Sequence, residues 1–571
     1  MVKKLLSFVL LSLFVLFSAN SVFATVEKGD TLVISSNDAV EVPWNEIIAS
    51  DTLADGSREH SVYELEPDGW YPLSATLTAA TFDLNIIGGK RSQGQARPVI
   101  LVADPFSGWW MMSAAKNLTL KGVHVMQCAE VYGGNIGAWA RGGISVSDTN
   151  NTLVFEDMIW DFNIGTLLGA GNNGVDLHAT NCLFRFSLPT NNSVWAGQGF
   201  DLRQANLDTV VLQNCTWYGG GPFFLITVES AEKQLIIDHC TIADFVQFPI
   251  HGTHWRNTTF SNNLFYNAHT LGEDTVQVQG QDPDELPYGI VDIDTIFASM
   301  DDEANRVFNV LNNNNYVSPN IIDYWNTCMA DPATYHMFAV ADPTFYDGFM
   351  NSRTRAMFEA DETWPGLVLE NTTSLDPEFE NFFDYSDTLI NFSKYYHSYA
   401  WPEALPTTFM KDPDGEPLIP TDPMVYSLKI TNEALRSADR LGGVIGDQTW
   451  ELPNGYNSTQ EELAALHTQT AVKESSAQPV DFTLSQNYPN PFNPSTNIAF
   501  DLKKTAMVEL NIYNVLGQRV KTLVNRTLTA GMHSVQWDGL DENKQDVASG
   551  IYIYELKSGD TRLCKKMMLL Q

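Results

Sequence analysis

The sequence has little positive charge, few cysteines and a single long apolar run. Of its 571 residues, 33 are Lys or Arg and 69 are Asp or Glu, which gives a formal net charge of −36. A surface of this sign repels phosphate backbones, so we expect no nucleic acid partner. None of the six cysteines belongs to a Cys-x-x-Cys pair, and the sequence therefore gives no support to a structural zinc site.

The long apolar run lies at the N-terminus. Lys3 and Lys4 precede an apolar stretch over residues 5–17, which only Ser7 and Ser12 interrupt, and the small-x-small triplet VFA follows at 22–24. This pattern predicts a secretory signal peptide over residues 1–24, because the run is too short to span a bilayer. No other stretch approaches the roughly twenty apolar residues of a transmembrane helix, so we expect an exported chain without a membrane span after signal removal.

The middle of the chain repeats one strand-like pattern, apolar-x-apolar-x-(Gly/Asn/Asp/His)-(apolar or Cys)-x-apolar. Its fifth position falls at residues 88, 122, 157, 181, 214, 239 and 262, so successive copies are 34, 35, 24, 33, 25 and 23 residues apart. A repeat of this length indicates a solenoid, and its Val, Ile, Phe and Thr content without helical spacing indicates strands. Leucine-rich repeats would show a regular Leu/Asn consensus that these copies lack. The pattern predicts a right-handed parallel β-helix over residues 25–316.

Equivalent positions of the repeat carry the same residue types. One position holds three cysteines, which we expect to stack as a buried apolar ladder rather than form disulfides; they are Cys182, Cys215 and Cys240. The turn position holds asparagines, which tolerate left-handed backbone and can hydrogen-bond from coil to coil; they are Asn181, Asn214 and Asn262.

The rest of the chain departs from the repeat. Residues 317–450 are less strand-like, and we expect an irregular, partly helical excursion with the closing coils of the β-helix. Residues 451–480 are polar and predict a linker. Residues 481–571 contain alternating runs at 498–502, 508–513 and 551–556, which predict a small immunoglobulin-like β-sandwich. The expected fold class is therefore all-β, a β-helix solenoid followed by a sandwich.

The C-terminal segment also carries a set of short motifs. They read NYPNPFNPST at 487–496, VLGQ at 515–518, WDG at 537–539, ASGIY at 548–552 and KKMMLL at 565–570. Together they resemble the type A C-terminal sorting domain of the type IX secretion system. The resemblance implies a secreted protein of a Bacteroidetes-like bacterium, which the secretion machinery handles through residues 481–571 and which resides at the outer-membrane surface or in the medium.

The repeats themselves resemble the pectate-lyase-like superfamily of right-handed β-helices, over roughly residues 30 to 450. The resemblance is carried by the repeated strands, by the lead-in LNIIG at 84–88 and by closing phrases such as GGVIGD at 442–447. It implies the fold, and it makes an extracellular polysaccharide the expected partner. We expect a monomer.

One strand face gathers candidate catalytic residues. If Phe200 and Leu202 point inward, Asp201 and Arg203 point outward, and His251 could lie two coils further along the same face. Uronate lyases need a base beside groups that neutralise the acid, so we predict catalytic roles for Arg203, His251 and Arg256 and a calcium-binding role for Asp201. The competing interpretation is a surface salt bridge between Asp201 and Arg203.

Tryptophans in presumed loops suggest sugar stacking. Trp195 and Trp255, together with His254, are predicted to bind substrate, whereas the alternative is loop packing. We therefore expect an exported β-helix protein that recognises a polysaccharide, with or without cleavage by elimination. If it is an enzyme, a polysaccharide lyase is the first choice and a glycoside hydrolase the second, because paired-carboxylate motifs are missing. The alternative is a non-catalytic surface adhesin or structural solenoid protein.

Overall fold

The structure is a computed structural model in which two compact units are described, Met1–Leu466 and His467–Gln571. The residues that it describes are 26–36, 42–127, 131–132, 135–136, 140–163, 165–171, 174–187, 197–202, 207–221, 224–227, 234–247, 249–252, 254–272, 289–294, 305–331, 348–360, 363–380, 382, 386–398, 427–439, 442–463, 465–466, 482–484, 492, 495–502, 504–514, 519–529, 531–542, 544–545, 547, 550–558 and 561–569. The predicted signal peptide lies outside them. Among the described helices, none combines the length and the apolar content needed to cross a membrane.

The first unit consists mainly of short strands. In chain order they are β1 (Val26–Lys28), β2 (Thr31–Ile34), β3 (Val62–Leu65), β4 (Trp70–Ala79), β5 (Leu84–Gly88), β6 (Val99–Ala114), β7 (Leu118–Lys121), β8 (His124–Met126), β9 (Val131–Tyr132), β10 (Asn135–Ile136), β11 (Gly142–Val146), β12 (Thr152–Glu156), β13 (Ile159–Asp161), β14 (Thr166–Ala170), β15 (Val175–Thr180), β16 (Leu183–Ser187), β17 (Gln198–Asp201), β18 (Leu207–Gln213), β19 (Thr216–Gly220), β20 (Leu225–Ile226), β21 (Gln234–Asp238), β22 (Thr241–Phe245), β23 (Ile250–His251), β24 (Asn257–Ser261), β25 (Leu264–Tyr266), β26 (Val307–Leu311), β27 (Asn314–Tyr316) and β28 (Leu367–Glu370). The helices are α1 (Trp44–Ser50), α2 (Pro319–Ala330), α3 (Ser352–Glu359) and α4 (Ser386–Ser398), with short 3-10 helices at Leu435–Ser437, Gln448–Glu451 and Gly455–Asn457.

These strands stack into the predicted parallel β-helix. The first face is the sheet β2-β3-β5-β7-β12-β15-β18-β21-β24-β26-β28, which is parallel throughout. The second sheet divides at β6, whose first residues pair with β8 and whose last residues pair with β11. The second face continues through β8, β13, β16, β19, β22, β25 and β27, and the third face continues through β11, β14, β17, β20 and β23.

Alternation within each strand builds the core. In β15, for example, Val175, Leu177 and Ala179 are buried, whereas the intervening Asp176 and His178 are half-buried. Because the coils are in register, the buried residues of successive coils stack into ladders that fill the interior.

The turn between the first two faces uses left-handed backbone, as the sequence predicts. Asn181, Asn214 and Asn262 have φ angles of 52°, 53° and 56°. Asn214 Nδ2 donates to Asn181 Oδ1 over 2.5 Å, and Asn312 Nδ2 donates to Asn262 Oδ1 over 3.5 Å. The side chains thus link neighbouring coils at a turn that most residues enter only with strain.

The cysteine ladder is also confirmed. Cys182, Cys215 and Cys240 are fully buried and are free thiols. Burial raises the pKa of the Cys215 thiol well above its ordinary value, and hydrogen bonds with Cys182 and Cys240 add to the shift. These residues are therefore apolar packing elements.

The excursion after the last coils covers the second face. Residues from α2, α4 and the 3-10 helices bury the outer side of this face in a second apolar cluster, which includes Leu183, Tyr218, Trp325, Leu389 and Trp450. The segment predicted as a linker from residue 451 begins inside this layer, because Tyr456 is fully buried and its hydroxyl donates to the carbonyl oxygen of Cys182 over 2.8 Å. The boundary predicted at 451 is therefore too early, and residues 467–480 lie outside the described part.

The second unit is a small antiparallel β-sandwich, as predicted. Its strands are β29 (Phe482–Leu484), β30 (Thr496–Leu502), β31 (Ala506–Asn514), β32 (Arg519–Leu528), β33 (Gly531–Trp537), β34 (Gly550–Ser558) and β35 (Thr561–Leu569). They form the sheets β29-β30-β33 and β32-β31-β34-β35. Side chains from both sheets, among them Phe500, Leu510, Trp537 and Tyr554, share one buried core.

Candidate functional site on the third face

The third face presents a series of residues that the strand register aligns along the helix axis. Pairing between successive coils aligns Ser113 with Ser145, Ser145 with Gly169 and Gly169 with Asp201. The same register continues from Asp201 through Ile226 to His251. We call this series the outer ladder.

Asp201 and His251 lie on the outer ladder two coils apart. Phe200 and Leu202 are fully buried on either side of Asp201, which is itself half-buried at the end of β17. His251 is half-buried at the end of β23. Because neighbouring strands are about 4.8 Å apart, the backbones of Asp201 and His251 are roughly 10 Å apart. The expected inward positions of Phe200 and Leu202 and the expected two-coil separation are both confirmed.

The other predicted site residues are not all brought to this ladder. Arg203 and Trp195 lie outside the described residues. His254 and Arg256 are half-buried and follow at the corner that leads from β23 into β24 on the first face. The carbonyl oxygen of Arg256 accepts a hydrogen bond from Val307 N over 2.7 Å, which fixes the backbone of this corner. The catalytic roles proposed for Arg203, His251 and Arg256 remain predictions.

Trp255 is not an exposed aromatic residue. Its side chain is 1% exposed, its Nε1 donates to Thr227 Oγ1 over 2.7 Å, and its ring packs edge-on against Phe260 and Phe308. An indole held in this way cannot present a face to a sugar. The exposed position that the sequence predicts for Trp255 is therefore wrong, and loop packing is the correct interpretation for this residue.

Two other tryptophans, consecutive in β6, are exposed or half-buried, and the ring of Trp110 reaches Gly169 of the outer ladder. Trp109 is 57% exposed, and the guanidinium carbon of Arg141 lies 4.4 Å from its ring centroid. Trp110 is half-buried, and its carbonyl oxygen accepts a hydrogen bond from Thr76 Oγ1 over 2.6 Å. The tryptophan pair is visible in the sequence, but the position of the Trp110 ring over Gly169, the register neighbour of Asp201, depends on the coil register.

The described residues do not complete a calcium site at Asp201. Calcium takes six to eight oxygen ligands, and the register neighbours of Asp201 are Gly169 and Ile226, whose side chains offer none. Within the described part of the chain, three potential ligands converge elsewhere, at Asp51, Glu59 and His60.

That N-terminal group is held by internal contacts. The carboxylate of Asp51 accepts from the hydroxyl of Tyr63 over 2.7 Å and contacts His60 Nδ1 over 2.8 Å, and Arg58 lies 3.4 Å away. A cation at the same carboxylate would face the positive charge of Arg58. This arrangement is that of a structural network beneath α1.

Comparisons with known proteins bear mainly on the second unit. The FlgD Ig-like domain family matches residues 486–561, in agreement with the observed sandwich. In a comparison with curated proteins, nothing matches the chain.

Three solved structures show short local similarity. Dimeric latent PorU from Porphyromonas gingivalis is 18% identical over 16% of this chain and 9% of that one, with a TM-score of 0.14. PorZ of the same organism, described as an essential surface component of the type-IX secretion system, is 20% identical over 17% and 12%, with a TM-score of 0.13. The alkylpurine DNA glycosylase AlkC of Pseudomonas fluorescens is 14% identical over 19% and 37%, with a TM-score of 0.14. Since this chain spans only 9%, 12% and 37% of their lengths, these matches say nothing about its activity.

Proposed function

We propose that the first unit recognises an extracellular polysaccharide on its third face. The observation that carries this proposal is the outer ladder, on which Asp201 and His251 lie in register two coils apart. A carboxylate and an imidazole so placed offer hydrogen-bonding groups to two sites of one extended chain. The resemblance of the repeats to secreted pectate-lyase-like β-helices supports the same ligand class.

Cleavage by elimination is the second part of the proposal. It requires a base near the acidic carbon–hydrogen bond of a uronate and a cation that neutralises the sugar carboxylate. His251 supplies a titratable ring on the third face, and Arg256 lies one corner further along the chain. Arg203 is predicted to act together with His251 and Arg256, because it follows Asp201 at the two-residue spacing of one strand face.

The test uses the chain without residues 1–24 and a panel of acidic and neutral polysaccharides, with and without calcium. Binding is measured by affinity electrophoresis, and cleavage is followed by the absorbance of unsaturated uronate products together with new reducing ends. An absorbance rise establishes a lyase, whereas reducing ends without absorbance establish a hydrolase. Binding without cleavage supports recognition and refutes the elimination reaction. If no polysaccharide is bound or cleaved, the proposal is refuted in favour of an adhesin or structural solenoid.

Matched substitutions locate the binding face. Asp201→Ala and His251→Ala should weaken binding by about tenfold each, since each removes a hydrogen-bonding group from the ligand. Asp176→Ala and His178→Ala change the same residue types at half-buried positions on the first face, and they should bind like the unmodified chain. Equal losses in both pairs would place the ligand elsewhere.

We also propose that the second unit directs export through the type IX secretion machinery. The sorting-domain motifs between 487 and 570 and the FlgD Ig-like match over 486–561 support this proposal. The expected location is the outer-membrane surface or the medium. In the producing bacterium, deletion of residues 481–571 should trap the protein in the periplasm, and normal secretion of the truncated chain would overturn the proposal.

A further inference from the structure

We infer that Trp110 is a stacking platform for a pyranose ring, and that the bound sugar chain runs along the helix axis from Trp110 past Asp201 to His251. This inference rests on the proposed polysaccharide recognition and specifies its orientation, its length and an aromatic subsite.

The ring of Trp110 lies across the backbone of neighbouring coils. Trp110 pairs in register with Gly142, and a methyl group at position 142 would overlap the six-membered part of the indole. A methyl group at Gly169, one coil further on, would lie 2.9 Å from Trp110 Cη2. Both glycines therefore provide the space in which the indole lies close to the sheet, and a side chain at either position would push it away.

The far edge of the indole is next to the carboxylate position of the outer ladder. Gly169, which the Cη2 edge reaches, pairs directly with Asp201 on the following coil. A sugar ring stacked on Trp110 would thus have its equatorial hydroxyls within reach of the Asp201 side chain. Flat aromatic surface beside one well-placed polar group is the usual composition of a specific small-ligand subsite.

Trp109, which precedes Trp110 in β6, is held by Arg141. Trp109 is the most exposed tryptophan among the described residues, and Arg141 stacks on it with 4.4 Å between the guanidinium carbon and the ring centroid. A cation–π contact restricts the indole, so less side-chain freedom is lost when a ligand binds. An exposed apolar ring held in this way favours a ligand with flat apolar faces and a polar rim, which is the character of a pyranose.

The length of the third face predicts how many sugar residues of the ligand contact it. From Gly142 to His251 the third face passes through β11, β14, β17, β20 and β23, which are four inter-strand steps. At about 4.8 Å per step, this path measures roughly 19 Å along the axis. Each step is close to the length of one pyranose residue in an extended chain, so about four sugar residues should fill the path and further residues should add little.

The experiment measures the affinity of defined oligosaccharides, cut from whichever polysaccharide the unmodified chain binds, by isothermal titration calorimetry. Affinity should rise up to about four residues and then level off. Trp110→Ala should lower affinity about tenfold, as expected for a tryptophan that stacks on its ligand. Gly169→Val keeps the side chains of Trp110, Asp201 and His251 in the sequence but displaces the indole of Trp110, and it should cause a similar loss.

Trp70→Ala is the matched control. Trp70 is also exposed, at 39%, but it lies on β4 opposite Val99, where the second sheet turns toward the second face. Its loss should leave affinity unchanged, and thermal unfolding should show that every variant is folded.

The outcomes separate the two proposals. If the unmodified chain binds a polysaccharide but Trp110→Ala and Gly169→Val bind equally well, the platform is wrong and the proposed function stands. If affinity keeps rising well beyond four residues, the axial path is wrong. If the unmodified chain binds no polysaccharide at all, both proposals fail together.

Discussion

The hydroxyl of Tyr456 donates a hydrogen bond to the carbonyl oxygen of Cys182 over 2.8 Å, and it also contacts the carboxylate of Asp447. Asp447 in turn accepts from Thr216 Oγ1 over 2.7 Å. The closing segment is thus attached to coils that lie more than two hundred residues earlier in the chain. This buried polar cluster holds the covering layer on the second face.

Asp447 should make stability fall as pH rises. Burial raises the pKa of Asp447 to about 6, although its hydrogen bonds with Tyr456 and Thr216 oppose the shift. Between the ordinary value of 3.8 and about 6, the folded protein therefore holds a proton that the unfolded chain has lost. The stabilising contribution is complete below the unfolded value and is lost as pH rises through about 6.

Asp447→Asn has no proton to lose and should remove this dependence. Urea unfolding should be measured at about pH 4 and about pH 8. Between these two pH values, the free energy of unfolding of the variant should rise by on the order of 3 kcal/mol relative to that of the unmodified chain. Asp292, whose burial also raises its pKa to about 6, is present in both proteins and cancels in the comparison. A constant difference between the two proteins would contradict the buried, protonated state of Asp447.

Asn214 should be replaceable by Gly at less cost than by Ala. Its side chain accepts from Gln448 N over 2.5 Å and donates to Thr449 Oγ1 over 3.0 Å, and both variants lose these bonds. Both variants must also adopt a φ of 53°, but only Ala has the Cβ that makes this conformation cost about 1–2 kcal/mol. Denaturant unfolding should rank the unmodified chain above Asn214→Gly and Asn214→Gly above Asn214→Ala, and the reverse order of the variants would refute the role of the turn.

The three stacked cysteines should be unreactive in the folded protein and fully reactive once unfolded. Burial and the raised pKa of Cys215 keep the thiolate scarce, and attack on labelling reagents requires the thiolate. Alkylation followed by peptide mass spectrometry should find Cys182, Cys215 and Cys240 unlabelled in buffer and labelled in denaturant without reductant. Protection that persists in denaturant would mean that they form disulfides.

The sequence predicts those parts of the fold that each coil repeats. Asn181, Asn214, Cys182 and Cys215 recur at fixed positions within their copies, so their left-handed turns and their burial follow from local chemistry. The alternation around Asp201 likewise predicts which neighbours are buried, because strand side chains alternate between the two faces.

Features that depend on contacts between distant coils could not be predicted in this way. Trp255 is buried because Phe260 and Phe308 surround it, and the second of these arrives 53 residues later, after a long insertion. Trp110 contacts the positions of Gly142 and Gly169 in space, but the numbers of residues between them along the sequence differ because the coils differ in length. Without the register, spacing alone does not align such residues.

Loss of Arg185 should lower the free energy of unfolding far more than loss of an exposed cation from an ion pair with a similar N–O distance. Its Nε and Nη2 donate to the two oxygens of Asp161 over 2.7 and 2.6 Å, and His124 Nε2 lies 2.7 Å from the same carboxylate. All three side chains are buried on the second face. Burial alone would raise the pKa of Asp161, but the charges of Arg185 and His124 outweigh it and lower the pKa to about 2.

Arg185→Met should therefore destabilise the protein by about 3–5 kcal/mol at neutral pH, because it leaves a buried carboxylate without its main partner. Lys116→Met removes a cation 2.6 Å from Asp148, but both side chains of that pair are about half exposed and screened by solvent, so its loss should lower the free energy of unfolding far less than the loss of Arg185. The lowered pKa of Asp161 means that its stabilising contribution is present above the ordinary value of 3.8 and is lost as pH falls through about 2. The cost of Arg185→Met, measured by urea unfolding, should accordingly shrink in acid, whereas equal costs for the two variants at neutral pH would show that the buried network does not stabilise the coils.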